Sequence, residues 1–160
     1  MRLSLALLLL VLAASGARSV AAQTLTVVRV DGDSLVLGAD ALAALPVASA
    51  RVRVHDGPER TYAGPRLADV LIAAGVRVDS LRGAGLARVA VVEASDGYRV
   101  AFALGELAPG LGGSPALLAL TVDGAPLGDD GPLRLVIEGD GRAARWARNV
   151  VRVRIVEAAR

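Results

Sequence analysis

The chain has 160 residues, of which 54% are hydrophobic and 21% are charged, with one tryptophan, two tyrosines and one phenylalanine. Because it contains no cysteine, disulfide bonds, thiolate metal sites and a lipid-modified cysteine anchor are not expected. Its eighteen basic residues are all arginines, and sixteen acidic residues nearly balance them. Because the chain lacks a large positive charge and has few aromatic side chains for base stacking, nucleic-acid binding has little support.

The N-terminal residues have the pattern of a secretory signal. Arg2 supplies a positive charge, and an apolar run of mainly leucine and alanine follows over residues 3–14. The run is too short for a stable membrane anchor and small residues precede Gln23, so we expect cleavage that leaves a protein beginning at Gln23. The predicted organisation is a signal peptide at 1–22 and one domain at 23–160, with a periplasmic or secreted location. Loss of the signal leaves sixteen basic residues against sixteen acidic ones.

The first part of the domain is predicted to contain a hairpin, a short helix and a second pair of strands. β-Branched and aliphatic runs flank Asp31-Gly32-Asp33, which is a hairpin turn sequence. An alanine- and leucine-rich stretch stops at Pro46, and the alternation that follows places Val52 and Val54 inward. The predicted elements are strands at 24–30, 34–37, 51–55 and 59–63, and a helix at 40–45.

The clearest helix of the sequence follows Gly64. Pro65 is suited to a first helical turn, and Gly75 favours termination. Apolar residues recur between them at helical spacing, which predicts one face packed on a sheet. This apolar stripe consists of Leu67, Val70, Leu71 and Ala74.

The second part of the domain is again rich in strands. Ser95-Asp96-Gly97 predicts a second hairpin turn. The glycine-rich stretch at 110–115 has no Lys-Ser/Thr after it and leads into a strand, so it indicates a connecting loop and not a phosphate-binding loop. Because the strands group in hairpins with only two or three helices, the predicted fold class is α+β with layered sheets. The predicted elements are strands at 88–94, 98–103, 117–122, 133–138 and 150–156, and a short helix at 104–107.

The single histidine, His55, restricts the chemistry of the chain. A His/Cys metal site would lack ligands. A Ser/His/Asp triad would have to use His55, and the adjacent Asp56 cannot orient its ring in the usual way, because successive side chains of a strand leave on opposite faces. The acidic residues Asp129, Asp130 and Asp140 adjoin glycines in loops and lack the spacing of a calcium site. The sequence therefore predicts no catalytic residue and no metal ligand.

Arginines concentrate near the C-terminus, around the tryptophan. Strand alternation is predicted to place Arg134, Val136 and Glu138 on the surface opposite the core. One interpretation of Arg134 is an exposed arginine paired with an acidic neighbour. The other is an anion-receiving cluster, because guanidinium groups match the oxygens of phosphate, sulfate or carboxylate. The remaining arginines of that cluster are Arg142, Arg145 and Arg148, which surround Trp146.

Five segments occur in the order found in one known family. They are a tyrosine–glycine motif before the long helix, a turn motif ending in Gly-Tyr, a segment with Asp-Gly-Ala-Pro-Leu, a segment with Gly-Pro-Leu-Arg-Leu, and an Arg-Trp pair. With these segments, residues 34–156 resemble the oxidoreductase molybdopterin-binding domain of the sulfite-oxidase type, in a small exported form. The matching residues are 62–67 with Val70, Leu71, Ala74 and Gly75, then 95–98, 119–127, 131–136 and Arg145-Trp146.

This resemblance implies a fold, an activity and a cofactor. The family has layered sheets with a β-grasp-like part, oxidoreductase activity and molybdopterin as its cofactor. Its full-length members hold molybdenum through a cysteine thiolate in an N-terminal half-domain, whereas this chain has no cysteine. Arg134 and Arg145 are carried over as positions in matching motifs. The residues predicted to bind a cofactor or anionic ligand are Arg134, Arg145, Trp146, Tyr98 and His55.

Three functional hypotheses follow, in order of preference. The first is an exported module that binds a pterin-like or other anionic small molecule. The second is a molybdopterin-dependent oxidoreductase with an exported redox partner. The missing cysteine argues against this second hypothesis. The third is a cofactor-free domain that presents a strand edge to a partner protein. None of the three requires nucleic acid or a stable membrane anchor.

Overall fold

The computed structural model describes residues 23–53 and 56–158, so the predicted signal at 1–22 and His55 lie outside the described residues. Within that part of the chain, three α-helices and eleven strands form layered sheets, which confirms the α+β class. None of the described helices is long and apolar enough to cross a membrane. The elements are β1 (Leu25–Val28), β2 (Ser34–Leu37), α1 (Ala39–Ala43), β3 (Val47–Arg53), β4 (Glu59–Pro65), α2 (Leu67–Ala73), β5 (Arg88–Ala94), β6 (Arg99–Ala103), α3 (Leu104–Leu107), β7 (Ala116–Ala119), β8 (Thr121–Val122), β9 (Ala125–Pro126), β10 (Arg134–Ile137) and β11 (Val150–Glu157), with 3-10 helices at Gly83–Ala87, Gly128–Asp130 and Ala143–Arg145.

The largest sheet has five strands in the order β2-β1-β11-β5-β6. Both predicted hairpins are present in it, β1 with β2 and β5 with β6. The last strand, β11, lies between the hairpins, parallel to β1 and antiparallel to β5, and so joins the two ends of the domain. Alternate residues of these strands, among them Val27, Val92 and Val153, are buried in a core shared with the other sheets.

The remaining strands form a four-stranded sheet, β3-β4-β8-β9, and a two-stranded sheet, β10-β7. β3 starts at Val47, directly after Pro46, four residues before the predicted start. The segment 117–122, predicted as one strand, is divided between the two sheets, because β7 pairs with β10 whereas β8 pairs with β4 and β9. Leu120, between them, donates its N–H to the carbonyl of Ala63. The prediction of a single strand here is therefore wrong.

The main helix, α2, begins later than predicted because Pro65 is still part of β4 and Arg66 is the N-cap. Its predicted apolar stripe is confirmed, since Leu67, Val70 and Leu71 have no exposed surface. The helix ends at Ala73 with Ala74 as its C-cap, and the next residue, Gly75, has a φ of 81°. That backbone conformation costs glycine little and other residues more.

The strand β10 is buried on both faces, contrary to the alternation predicted for it. All four of its residues, including Arg134 and Val136, are buried. The 3-10 helix at Ala143–Arg145 packs against β10, and the following Ala147 accepts a hydrogen bond from the N–H of Leu135, so the chain after β10 covers it. The interpretation of Arg134 as an exposed strand arginine paired with an acidic neighbour is wrong about the exposure, because Arg134 is buried, but the acidic partner is present in Asp130.

Replacement of Gly64 is expected to destabilise the domain. A Cβ at this position would lie 3.0 Å from both the Cα of Ala119 and the backbone N of Leu120, and closer still to the carbonyl oxygen of Leu118. These are backbone atoms, so no side-chain rotation relieves the clash. We expect Gly64→Ala to lower the free energy of unfolding by about 1–3 kcal/mol or more.

The control for this substitution is Gly110→Ala, because a Cβ at Gly110 meets nothing within 4 Å. A change within about 0.5 kcal/mol is expected there. Denaturant unfolding of the two variants provides the measurement. Equal midpoints would contradict the close approach of β4 to β7.

A candidate anion-binding cleft

Three of the five predicted ligand-binding residues, Arg134, Trp146 and Tyr98, line one cleft of about 390 Å³. They come from β10, from the segment after β10 and from the β5–β6 hairpin. A hydrogen bond from the N–H of Ser95 to the carbonyl of Asn149 ties that hairpin to the chain just after Trp146. Sheet pairing and this bond together place residues that are distant in sequence around the same space.

The Arg134 guanidinium is fixed on one side by Tyr62 and Asp130. Its Nη1 donates to the Tyr62 hydroxyl at 3.1 Å, and its Cζ lies 5.2 Å from the centre of the Tyr62 ring. The same Nη1 forms an ion pair with Asp130, which also receives Arg148 Nη1 at 3.4 Å. Arg134 is only 7% exposed, so its orientation is set by the protein before any ligand arrives.

Two N–H donors of the cleft residues lack acceptors. Arg134 Nε and Trp146 Nε1 are buried, and neither has a hydrogen-bond partner among residues 23–53 and 56–158. Trp146 as a whole is only 5% exposed. Most buried donors in proteins are paired, and leaving one without a partner costs about 1–3 kcal/mol. An acceptor that reached these two nitrogens, from solvent or from a ligand, would satisfy donors that the described protein does not.

The rim of the cleft is polar, and part of it is already engaged. The Tyr98 hydroxyl donates to the carbonyl of Ala144, and the Tyr98 N–H donates to Asp96 Oδ1 at 2.9 Å. Tyr98 and Asp96 therefore shape the rim and hold the hairpin turn. The exposed Arg148 contributes a second guanidinium to the lining.

A second cavity of about 280 Å³ shares Arg134 and Arg148 with the first. A third arginine, Arg60, lines it, and its Nε lies 3.6 Å from Asp123 Oδ2. Three arginines against one lining aspartate favour an anionic occupant. The remaining lining residues are Gly57, Pro58, Tyr62 and Asp130.

Arg145 is held by carboxylates outside the cleft lining. Its Nε and Nη2 lie 3.1 and 2.6 Å from the two oxygens of Asp140, and its Nη1 lies 3.4 Å from Glu106 Oε1. The hydrogen bonds that Arg145 donates to Asp140 raise the pKa of Arg145, and Glu106 adds to this effect. Its Cζ also lies 5.3 Å from the centre of the Phe102 ring. Arg145 is not among the residues that line the cleft with Arg134.

Sequence reasoning did not single out Tyr62 and Asp130 as site residues, although both position Arg134. A spacing of four residues favours an ion pair within an α-helix, but Asp130 ends a 3-10 helix and Arg134 begins β10, so the spacing did not predict this pair. The contact with Tyr62, 72 residues away, had no local signal. His55, the fifth predicted residue, lies outside the described residues.

Comparisons with known proteins show what this architecture is similar to. No family model matches the chain, and no curated protein matches it. Among solved structures, the crystal structure of the sulfane dehydrogenase SoxCD from Paracoccus pantotrophus matches 83% of this chain with a TM-score of 0.61. The two chains share a fold. Sequence identity to SoxCD is 18%, and the match covers 38% of the SoxCD chain, so this chain spans well under half of its length.

Proposed function

We propose that this protein is an exported binding module with a molybdopterin-binding-domain-like fold, which receives a pterin-like or other anionic small molecule in the cleft of Arg134 and Trp146. The observation that carries the proposal is the pair of buried donors, Arg134 Nε and Trp146 Nε1, that lack acceptors on one cleft. The cleft volume of about 390 Å³ falls in the range of small-molecule sites.

The chemistry of the cleft suits an oxygen-rich anion with a flat ring. Arg134 and Trp146 supply N–H groups to acceptor oxygens, and each charge-assisted hydrogen bond contributes about 1.5–3 kcal/mol. Tyr62 and Asp130 already order the Arg134 side chain, which reduces the entropy lost on binding. Ala143, Ala144 and Ala147 form an apolar part of the lining against which a ring can pack.

The substitution Trp146→Phe tests this proposal. It removes the Nε1 donor and keeps an aromatic ring in the core. Loss of an unsatisfied buried donor stabilises the domain, whereas the cavity left by the smaller ring destabilises it, so the free energy of unfolding should change by less than about 2 kcal/mol. Affinity for the anionic ligand should fall about tenfold, the effect of one lost charge-assisted hydrogen bond. Titration calorimetry of a phosphorylated pterin, inorganic phosphate and sulfate measures the affinity, and thermal unfolding measures the stability.

Two results would count against the proposal. One is the absence of binding heat from the wild-type protein with all three ligands, which would favour the cofactor-free interaction domain. The other is binding that Trp146→Phe leaves unchanged, because the ligand would then lie elsewhere.

The second candidate is a molybdopterin-dependent oxidoreductase, favoured by the sequence resemblance and by the fold shared with a sulfane dehydrogenase. The donors of the cleft fit the anionic, organic part of such a cofactor. They do not fit its metal, since the sequence has no cysteine and no group of three His, Cys, Asp or Glu side chains among the described residues is placed to hold an ion. One equivalent of molybdenum per chain in protein purified from its native source would favour this candidate.

A further inference from the structure

A separate group of arginines lies on the outward face of the five-stranded sheet. Arg152 of β11 pairs directly with Glu93 of β5, which pairs with Arg99 of β6. Directly opposed residues share one face of a sheet, so these three side chains form a row across three strands. Arg154 lies two residues further along β11. We call Arg99, Arg152 and Arg154 around Glu93 the arginine face; none of the four lines the cleft described above.

One carboxylate holds the three guanidinium groups together. Arg154 Nε and Nη2 lie 2.9 and 2.6 Å from Glu93 Oε1, Arg152 Nη1 lies 3.4 Å from Oε2, and Arg99 Nε lies 3.7 Å from Oε1. Burial raises the pKa of Glu93, but the hydrogen bond and charge of Arg154, with the charges of Arg99 and Arg152, lower it further than burial raises it. The carboxylate therefore stays ionised and keeps the arginines clustered.

The positive charge of the arginine face exceeds its negative charge. Three arginines meet a single glutamate, and among the described residues Arg99 and Arg152 form no ion pair with any other carboxylate. The side chains of Arg99 and Arg152 are 64% and 50% exposed, whereas Glu93 is buried. Most of their N–H donors therefore face solvent, already positioned by Glu93.

The surroundings of the arginine face favour a protein ligand. The neighbouring outward residues, Thr26, Val28, Val91 and Ala101, are small or aliphatic, carry no charge, and are exposed or half-buried. Phe102 points to the opposite, buried side. Since no other strand residue of the described five-stranded sheet is aromatic, its outward face lacks both the stacking platform of single-strand nucleic-acid binders and the anchor of membrane-surface proteins.

We propose that the arginine face docks a carboxylate-rich segment of a partner protein. Side chains two residues apart on an extended segment project about 7 Å apart, a spacing that the long Arg99 and Arg152 side chains can both reach. Carboxylates on such a segment would neutralise the two arginines that Glu93 does not. Arg–carboxylate pairs of this kind add orientation as well as affinity.

A labelled ten-residue peptide, (Glu-Ser)₅, tests the docking, with (Gln-Ser)₅ as the neutral probe. Fluorescence anisotropy at low ionic strength should show binding of the acidic peptide alone, weakening as salt rises. The double variant Arg99→Gln/Arg152→Gln should bind about tenfold more weakly or worse, since both guanidinium contacts are lost. Arg154 still pairs with Glu93 in this variant, so its fold should persist.

The matched control is Arg51→Gln/Arg53→Gln, which removes two exposed arginines from β3 of another sheet. It should change affinity by less than about twofold, because the probe is bound locally. Equal weakening by both double variants would overturn the proposal, as would arginine-dependent binding to phosphatidylserine vesicles in the absence of peptide binding.

The variant Trp146→Phe separates this inference from the proposed cleft function. Peptide affinity should be insensitive to it, because Trp146 is not part of the arginine face. A loss of peptide binding in Trp146→Phe would place the peptide in the cleft and overturn the docking proposal.

Discussion

The substitution Leu71→Asp is expected to unfold the domain at room temperature. Leu71 has no exposed surface, and its helix, α2, packs against the fully buried strand β7. Loss of a buried leucine costs about 2–5 kcal/mol, and burial of an unpaired carboxylate adds several more. These costs together are comparable to the whole stability of a typical domain, about 5–15 kcal/mol.

The control is Arg77→Asp, which changes charge beyond the end of the same helix. Arg77 is exposed, and its Nε donates to Ser80 Oγ at 3.3 Å. A change within about 0.5 kcal/mol is expected. Circular dichroism of both variants during heating provides the test, and equal melting temperatures would contradict the position of α2.

The substitution Arg134→Gln is expected to reduce stability and ligand affinity together. It leaves the Tyr62 hydroxyl without its donor and removes the buried partner of Asp130. Breaking a buried pair costs about 3–5 kcal/mol, and we expect about 2–4 here, because Asp130 is partly exposed and keeps Arg148 as a partner. The melting temperature should fall by about 10 °C. Binding to the panel of anions should become undetectable.

The variant Arg134→Lys distinguishes the two effects of that substitution. Lysine retains a positive charge near Asp130 but has no planar guanidinium group and no N–H equivalent to that of Arg134 Nε. Part of the stability should return, while the affinity for the anion should not. Recovery of full affinity in Arg134→Lys would show that charge alone, and not the Nε donor, binds the ligand.

The sequence alone determined those parts of the fold that depend on neighbouring residues. Both hairpins form where Asp-Gly turns separate β-rich runs, and α2 buries the stripe predicted from its helical spacing. Such features follow from local dihedral preferences and side-chain periodicity, which act within a few residues. Cleavage before Gln23, export and any role of His55 stay predictions, since these residues adjoin or belong to the part of the chain outside the described ranges.

The tertiary structure decided which arginines can receive a ligand. From sequence, Arg134 and Arg145 are equivalent members of one cluster. The fold buries Arg134 beside the cleft, with an Nε donor that has no acceptor among the described residues, and pairs Arg145 with Asp140 and Glu106. The change of sheet at Leu120 could not be predicted for a related reason. The strand before it, β7, is buried throughout, and such a strand shows no alternation of polar and apolar residues that would mark where it ends. Burial and ion pairing depend on residues that come together only when distant strands pack, and no local pattern records which residues those are.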